Sequence, residues 1–311
     1  MLKRFSYLLI AGLFLSTLLG FFGRFHWLFD LFAHFRVQYI AIASLFALFA
    51  LLHKPRYPLY ACLLILLINL AQIAPYYYPA AQTIPNDSTT TLRVMSTNVN
   101  SAVGNEQSSI DSILATEADI VAIIELNPLL AEQLSTIQHI YPHQQLQTME
   151  NSHFGIGLLS KYPLSNQDVL WLDSNPSPSL YAEITTQAGP VAILASHPSP
   201  PLFRYGTDLR TMRFQAIEKF MSATAVPTIV LGDLNATPWS HDMRSLVNNT
   251  RLHDSALGHG LQPTWLSRQH LLGIPIDYVL VSAEFSTLDH QVLPRAGSDH
   301  LPIVATLQLH Q

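Results

Sequence analysis

Asp119 to Leu126 reads DIVAIIEL, apolar at six of its eight positions. An almost continuously apolar run of this length suits a strand buried on both faces. Working outward, Leu92–Val99 is a strand-like run with a polar end, and Ile110, Ile113 and Leu114 fit a short amphipathic helix. Gly155–Ser160, Leu180–Thr185 and Val191–Ser196 are further strand candidates. Asp208–Ala223 carries apolar residues at helical spacing. Thr228–Gly232, Ile276–Val281, Leu288–Leu293 and Ile303–Leu309 complete the strands. Strands outnumber helices and helices intervene, so a layered α/β sandwich is expected over residues 92–311.

What precedes this region has a different chemistry. Charged residues make up 12% of the 311-residue chain and the net charge is −5. The deficit is uneven: residues 1–92 hold six bases and two acids, net +4, and the remainder 10 bases and 19 acids, net −9. Disorder and an ordinary soluble composition are both excluded. Phe5–Phe22, Val37–Leu52 and Tyr57–Tyr78 are free of charge, and a membrane span needs about 20 apolar residues. About three transmembrane helices are expected within residues 1–78, with Arg36 and Lys54 snorkelling at the ends of the second. The aromatic stretch Phe25–Phe35 suits the headgroup level. Lys3, Arg4, Lys54 and Arg56 outnumber Arg24 and Arg36 on the other side, which places the amino terminus in the cytoplasm. Three spans then put the last domain on the exoplasmic side of a multi-pass membrane protein. Residues 79–91, with Pro85, Asn86 and a Ser/Thr run, form the linker. The single cysteine, Cys62, excludes a disulfide framework and a cysteine zinc cluster.

Polar residues collect where the candidate strands end. Asn98 and Asn100 end the first, Glu125 the second, and Ser196 and His197 another. Asp233 and Asn235 follow the run TIVL, Asp277 lies in PIDYVLVS, and Asp299 and His300 precede the last strand. Singly, such residues are usually caps, solvated charges or structural histidines. As a set they gain weight, because polar strand ends in layered α/β folds converge on one rim.

At this point the sequence resembles the endonuclease/exonuclease/phosphatase superfamily, the group of DNase I, the abasic-site endonucleases and the neutral sphingomyelinases. The matching strings are STNVN, DIVAIIEL, FGIGLLSKYPL, ILASHP, VLGDLNATPWS, IDYVLV and GSDHLPIVATL, in the family's order. The resemblance implies a DNase I-like two-sheet α/β sandwich and divalent-metal-dependent phosphoester hydrolysis with Mg²⁺ or Mn²⁺. It implies metal binding around Glu125, Asn98 and Asp299, with His197, Asp233, Asn235, Asp277 and His300 as catalytic residues. Asn100 and Arg213 are candidate substrate contacts.

The chemistry agrees with these types. Hard cations take oxygen ligands and neutralise charge on a phosphate. In extended backbone Asp233 and Asn235 would point the same way, the first to activate water and the second to donate to a phosphoryl oxygen. His300, held by Asp277, can donate to the phosphate. The cluster Arg204, Arg210 and Arg213 defaults to a solvated helix face, with phosphate contact as the alternative. No G-x-S-x-G elbow or glycine-rich phosphate loop is present. The expected activity is that of a membrane-anchored phosphodiesterase of nuclease type; a lipid or inositol phosphoesterase is the alternative, and an inert membrane scaffold comes last. A net charge of −9 matches broad duplex binding poorly. The expected partners are a phosphodiester substrate, nucleic acid or phospholipid headgroup, and membrane lipid; the sequence points to no protein partner.

Overall fold

The computed structural model describes residues 2–53, 56–78, 90–150, 152–174, 177–269 and 271–310, with side chains from residue 6 onward. The expected linker, 79–91, lies outside the described residues except at 90 and 91, which open the first strand.

Two six-stranded sheets pack face to face. The first has the order β11-β12-β1-β2-β4-β3, from Phe285–Val292, Ile303–Leu309, Thr90–Asn98, Ile120–Ile124, Ile156–Ser160 and His143–Gln147. The second has the order β5-β6-β7-β8-β10-β9, from Ser165–Leu170, Ser179–Thr186, Gly189–Ala195, Thr228–Asp233, Asp277–Ser282 and Leu252–Asp254. Ile120, Ala122 and Ile124 of β2 face the inter-sheet core with Leu180, Ile193 and Leu231. Val121 and Ile123 face the other way, onto Ile110 and Ile113 of α5 (Glu106–Thr116). DIVAIIEL is therefore buried on both faces, as expected. Phe214, Ile217 and Met221 of α7 (Phe203–Ala223) cover the outer face of the second sheet. The layers run helix, sheet, sheet, helix.

Direction within the sheets builds a rim. β1 runs parallel to β2, and β7 parallel to β8. β12 is antiparallel to β1, and β10 antiparallel to β8 with Asp277 opposite Asp233. The carboxyl ends of four strands thus meet the amino ends of β10 and β12 at one edge.

Ahead of the sandwich lie α1 (Leu2–Leu19), α2 (Trp27–Leu31), α3 (Arg36–His53) and α4 (Arg56–Ile73). Two helical stretches, Trp27–His53 and Arg56–Tyr76, have the length and composition to cross a membrane; the apolar stretch Ser6–Leu19 is shorter. Among the described residues this makes two candidate spans rather than about three. Leu8, Leu45, Leu52 and Leu67 point outward, while Ile10, Tyr39, Ala43, Cys62 and Ile65 pack between the helices. Arg36 does not snorkel. It is fully buried, donates to the Thr17 carbonyl and Asn69 Oδ1, and lies 4.4 Å over the Phe21 ring.

The helices dock onto the sandwich. Asp30 in α2 accepts from buried Arg210 of α7 at 2.6 Å and from the His241 N–H at 2.7 Å. His34 Nδ1 lies 2.9 Å from Thr237 Oγ1. Gln38 donates to the Gly273 carbonyl, Trp239 Nε1 to the Gln72 carbonyl, and the Tyr76 hydroxyl to Asp254.

Candidate active site

Each rim residue sits where a strand gives out. Asn98 is the last residue of β1 and Asp233 the last of β8. Glu125 follows β2, and His197 stands two residues beyond β7. Asn100, Glu125 and Asn235 have φ of 51°, 62° and 51°. Left-handed backbone suits Asn but strains Glu, so the chain turns sharply at each strand end and swings the side chain into the rim. β8 has already ended at Asn235. The expected extended pairing with Asp233 is replaced by a turn in which Asp233 Oδ1 accepts from the Asn235 N–H at 2.9 Å.

Gly232 makes the rim close. Its φ is +149°, and a Cβ there would lie 1.9 Å from the Ser196 carbonyl oxygen. This approach brings His197 to Asp233. Gly232→Ala is expected to destabilise the chain by about 1–3 kcal/mol through overpacking and to separate His197 from Asp233. The thermal midpoint of the full chain in detergent measures the first effect. An unchanged midpoint would show that the two strand ends can part freely.

Asp233 is the hub. Its Oδ2 accepts from Asn98 Nδ2 at 3.1 Å and lies 3.6 Å from His197 Nε2 and 3.7 Å from His300 Nε2. His300 Nδ1 lies 2.9 Å from Asp277 Oδ2. Burial works to lower the His300 pKa, but Asp277 and Asp233 outweigh it and push it up to about 10. Burial pushes Asp233 up in turn, yet His300 and His197 outweigh that and hold it below the ordinary carboxylate value. For Asp277 burial prevails over the attraction of His300, and its pKa is raised. The arrangement favours a protonated His300 between Asp277 and Asp233, with Asp233 the more acidic of the two and lining the cavity.

The expected site residues gather, with three changes of role. Asn100, Glu125, His197, Asp233, Asn235, Asp299 and His300 line one cavity of about 800 Å³. Asn98 turns its amide nitrogen, not its oxygen, toward Glu125 and Asp233, because Oδ1 accepts the Asn100 N–H at 2.9 Å. It orients those carboxylates and is not placed to ligate a metal. Asn235 lines the cavity, but its amide donates to the Pro198 carbonyl and lies 3.2 Å from His197 Nε2, so it also orients that ring. Arg213 is elsewhere. Its fully buried guanidinium is spent on Asp173, Ser177 and Ser179, which leaves no donor for substrate. Nor do the three arginines share a solvated face: Arg210 is buried like Arg213, and only Arg204 is exposed.

The donor set fits a hard divalent cation. Glu125 and Asp299 present carboxylate oxygens to the cavity, the ligand type Mg²⁺ takes. Glu125 receives one amide hydrogen bond at 3.1 Å and longer contacts from Ser101, which leaves lone pairs unused. Asp299 accepts from Asn100 and from Trp265 Nε1, which fix its orientation. Ligand atoms of Asp233, Asp277 and His300 also lie within 4.8 Å of one another, a spacing that a metal ion could bridge. The 2.9 Å contact between His300 and Asp277 has hydrogen-bond length, which favours a shared proton over a shared ion.

Sequence reasoning missed several residues here. His153, Phe154 and Trp265 line the cavity, with Phe154 packed at 5.3 Å from the His197 ring. His153 and Phe154 sit in a loop with no apolar periodicity to place them. Trp27, Leu31, His34 and Phe35 also line it, although they belong to the membrane-type helices.

Residues 95–300 match the model of the Endonuclease/Exonuclease/phosphatase family. No curated protein matches the chain. Among solved structures, the endonuclease/exonuclease/phosphatase from Beutenbergia cavernae superposes with TM-score 0.60 at 22% identity, covering 71% of this chain and 72% of that one. TDP2 of D. rerio, complexed with single strand DNA product, gives TM-score 0.60 at 16% identity over 70% of this chain and 99% of that one. The protein from Bacteroides vulgatus gives 0.57 at 18% over 71% and 100%. At such identities the likeness is one of fold.

Proposed function

The chain belongs to the Endonuclease/Exonuclease/phosphatase family, and we propose that it is a membrane-anchored, divalent-metal-dependent phosphodiesterase. The observation that carries this is the convergence of Glu125, Asp233, Asp299 and the His300–Asp277 pair on one cavity. Phosphodiester hydrolysis needs an activated water, a donor for the non-bridging oxygens and a proton for the leaving oxygen. Asp233, ionised and buried, accepts the proton of the attacking water. His300, positively charged and held by Asp277, donates to the phosphoryl oxygens. His197, steadied by Asn235 and Phe154, protonates the leaving oxygen. Glu125 and Asp299 would hold Mg²⁺ or Mn²⁺, which supplies charge neutralisation on the phosphate when bound. Asn100 fixes Asp299.

The two long apolar stretches and their outward-facing leucines support a membrane anchor. With α1 (Leu2–Leu19) as a third span, the basic bias at the helix ends would put the active site on the exoplasmic side; with the two stretches of spanning length alone it would lie on the cytoplasmic side. A carboxyl-terminal alkaline phosphatase fusion tests the orientation and should be active in the first arrangement.

The activity is tested with the full chain in detergent and bis-p-nitrophenyl phosphate. Turnover should disappear with EDTA and return with excess Mg²⁺ or Mn²⁺. Turnover indifferent to the chelator would remove the metal from the reading, and no turnover of any diester would remove the reading itself.

A further inference from the structure

The cavity that holds the catalytic groups is also lined by many apolar side chains, with His34 and His153 among its other polar residues. Its walls are Trp27, Leu31 and Phe35 from the amino-terminal helices on one side, and Leu202 and Phe203 before and at the start of α7 on the other. Leu202 and Phe203 are 68% and 80% exposed, and Leu271, in the loop that accepts from Gln38 at the start of α3, is 89% exposed. Among the described residues lining the cavity there is no Lys or Arg. A nucleic-acid groove normally carries such cations along the backbone path, and this lining offers a polynucleotide none of them. Apolar side chains held open at the mouth of a site disfavour water and favour an apolar ligand.

The wall is also part of the membrane-type region. Trp27–His53 is one of the two apolar stretches of spanning length, and its first turns form the cavity side. Trp27, Leu31 and Phe35, on or beside a helix of spanning length, line the same cavity as Asp233 and His300, so lipid around that helix would lie close to the reacting groups.

We infer that Trp27, Leu31 and Phe35 form an acyl-chain subsite, and that the substrate is a bilayer phospholipid. Its phosphodiester reaches the catalytic groups while a hydrocarbon chain lies between the helical wall and the Leu202–Phe203 rim. This rests on the phosphodiesterase reading and adds the substrate class. The bond broken is a phosphoester P–O bond of the lipid; water supplies the oxygen that replaces it, and its proton goes to the leaving oxygen.

The test uses the full chain in three parallel assays: vesicles of phosphatidylcholine, phosphatidylethanolamine and phosphatidylglycerol; an oligonucleotide, single-stranded and duplex; and bis-p-nitrophenyl phosphate. A second arm uses Leu202→Ser/Phe203→Asn. Both positions are exposed, Ser suits the residue preceding a helix, and Asn tolerates the φ of +60° at residue 203. Turnover of a vesicle phospholipid is expected. The ratio of lipid to bis-p-nitrophenyl phosphate turnover should fall about tenfold or more in the double variant, from the loss of apolar burial. Independently of turnover, phosphatidylcholine with brominated chains should quench tryptophan emission of the native chain in detergent more than that of the variant. Turnover of the soluble diester or the oligonucleotide without any lipid would overturn the inference and leave the phosphodiesterase standing. So would an unchanged lipid ratio with unchanged quenching. Failure on all three substrates would remove the parent reading and the inference with it.

Discussion

Asp233→Asn should lower diester turnover by about 10²–10⁴-fold, the range for loss of a positioned general base. The substitution keeps the shape of the side chain and removes its charge. Asp233 is buried and touches Asn98, His197, His300 and the Asn235 backbone. With Asn, the new amide would set one donor against Asn98 Nδ2, and His300 would lose one of the three carboxylates, Asp277, Asp233 and Asp299, that favour its protonation. Both effects act on the reacting groups, so kcat should fall more than KM rises. The measurement is the initial rate on bis-p-nitrophenyl phosphate at saturating Mg²⁺, with the thermal midpoint as a folding control. A folded variant within about threefold of native turnover would assign water activation to another group.

The second large effect concerns His300 and Asp277. His300→Ala should lower turnover by about 10²–10³-fold, as loss of one preorganised donor does elsewhere. Asp277→Asn should also lower it, because the ring loses the negative charge 2.9 Å from Nδ1 that favours its protonation. The two losses should not multiply. Once His300 is gone, Asp277 has no ring to hold, so the double variant should resemble His300→Ala alone. A double loss equal to the product of the single losses would break the pairing. An active His300→Ala enzyme with a collapsed thermal midpoint would make this histidine a structural residue.

Much of the sandwich was legible because its inner strands carry their own pattern. β2 and β12 are apolar enough to be read directly, and β12 spans the expected Ile303–Leu309. β3 (HQQLQ), β5 (SNQDVL) and the three-residue β9 were not anticipated. All three are sheet edges, where one side of the backbone is unpaired and polar side chains are favoured, so no apolar alternation marks them. The rim residues were legible from their place at strand ends. Their hydrogen bonds were not, since the Asn98 amide contacts Glu125 and Asp233, 27 and 135 residues away. Arg210 and Arg213 show the same limit. A buried arginine looks like a solvated one in sequence, and the partner that reveals Arg210 is Asp30, 180 residues earlier. The cavity wall from Trp27 to Phe35 was hidden for the same reason: nothing local connects an interfacial aromatic stretch to a strand end in another domain.

The contacts of Asp30, Gln72 and Tyr76 with the sandwich bear on how this protein searches. A domain carried on a flexible coil of a dozen residues sweeps a dome with a radius of about 20 Å. One clamped at three attachments has no dome. In the membrane-anchored arrangement proposed above, its catalytic rim would keep a constant height and tilt, so encounters would occur in a plane and not in a volume. Molecules that extend far from that plane pass out of reach whatever their concentration. Those that drift within it arrive already facing the rim.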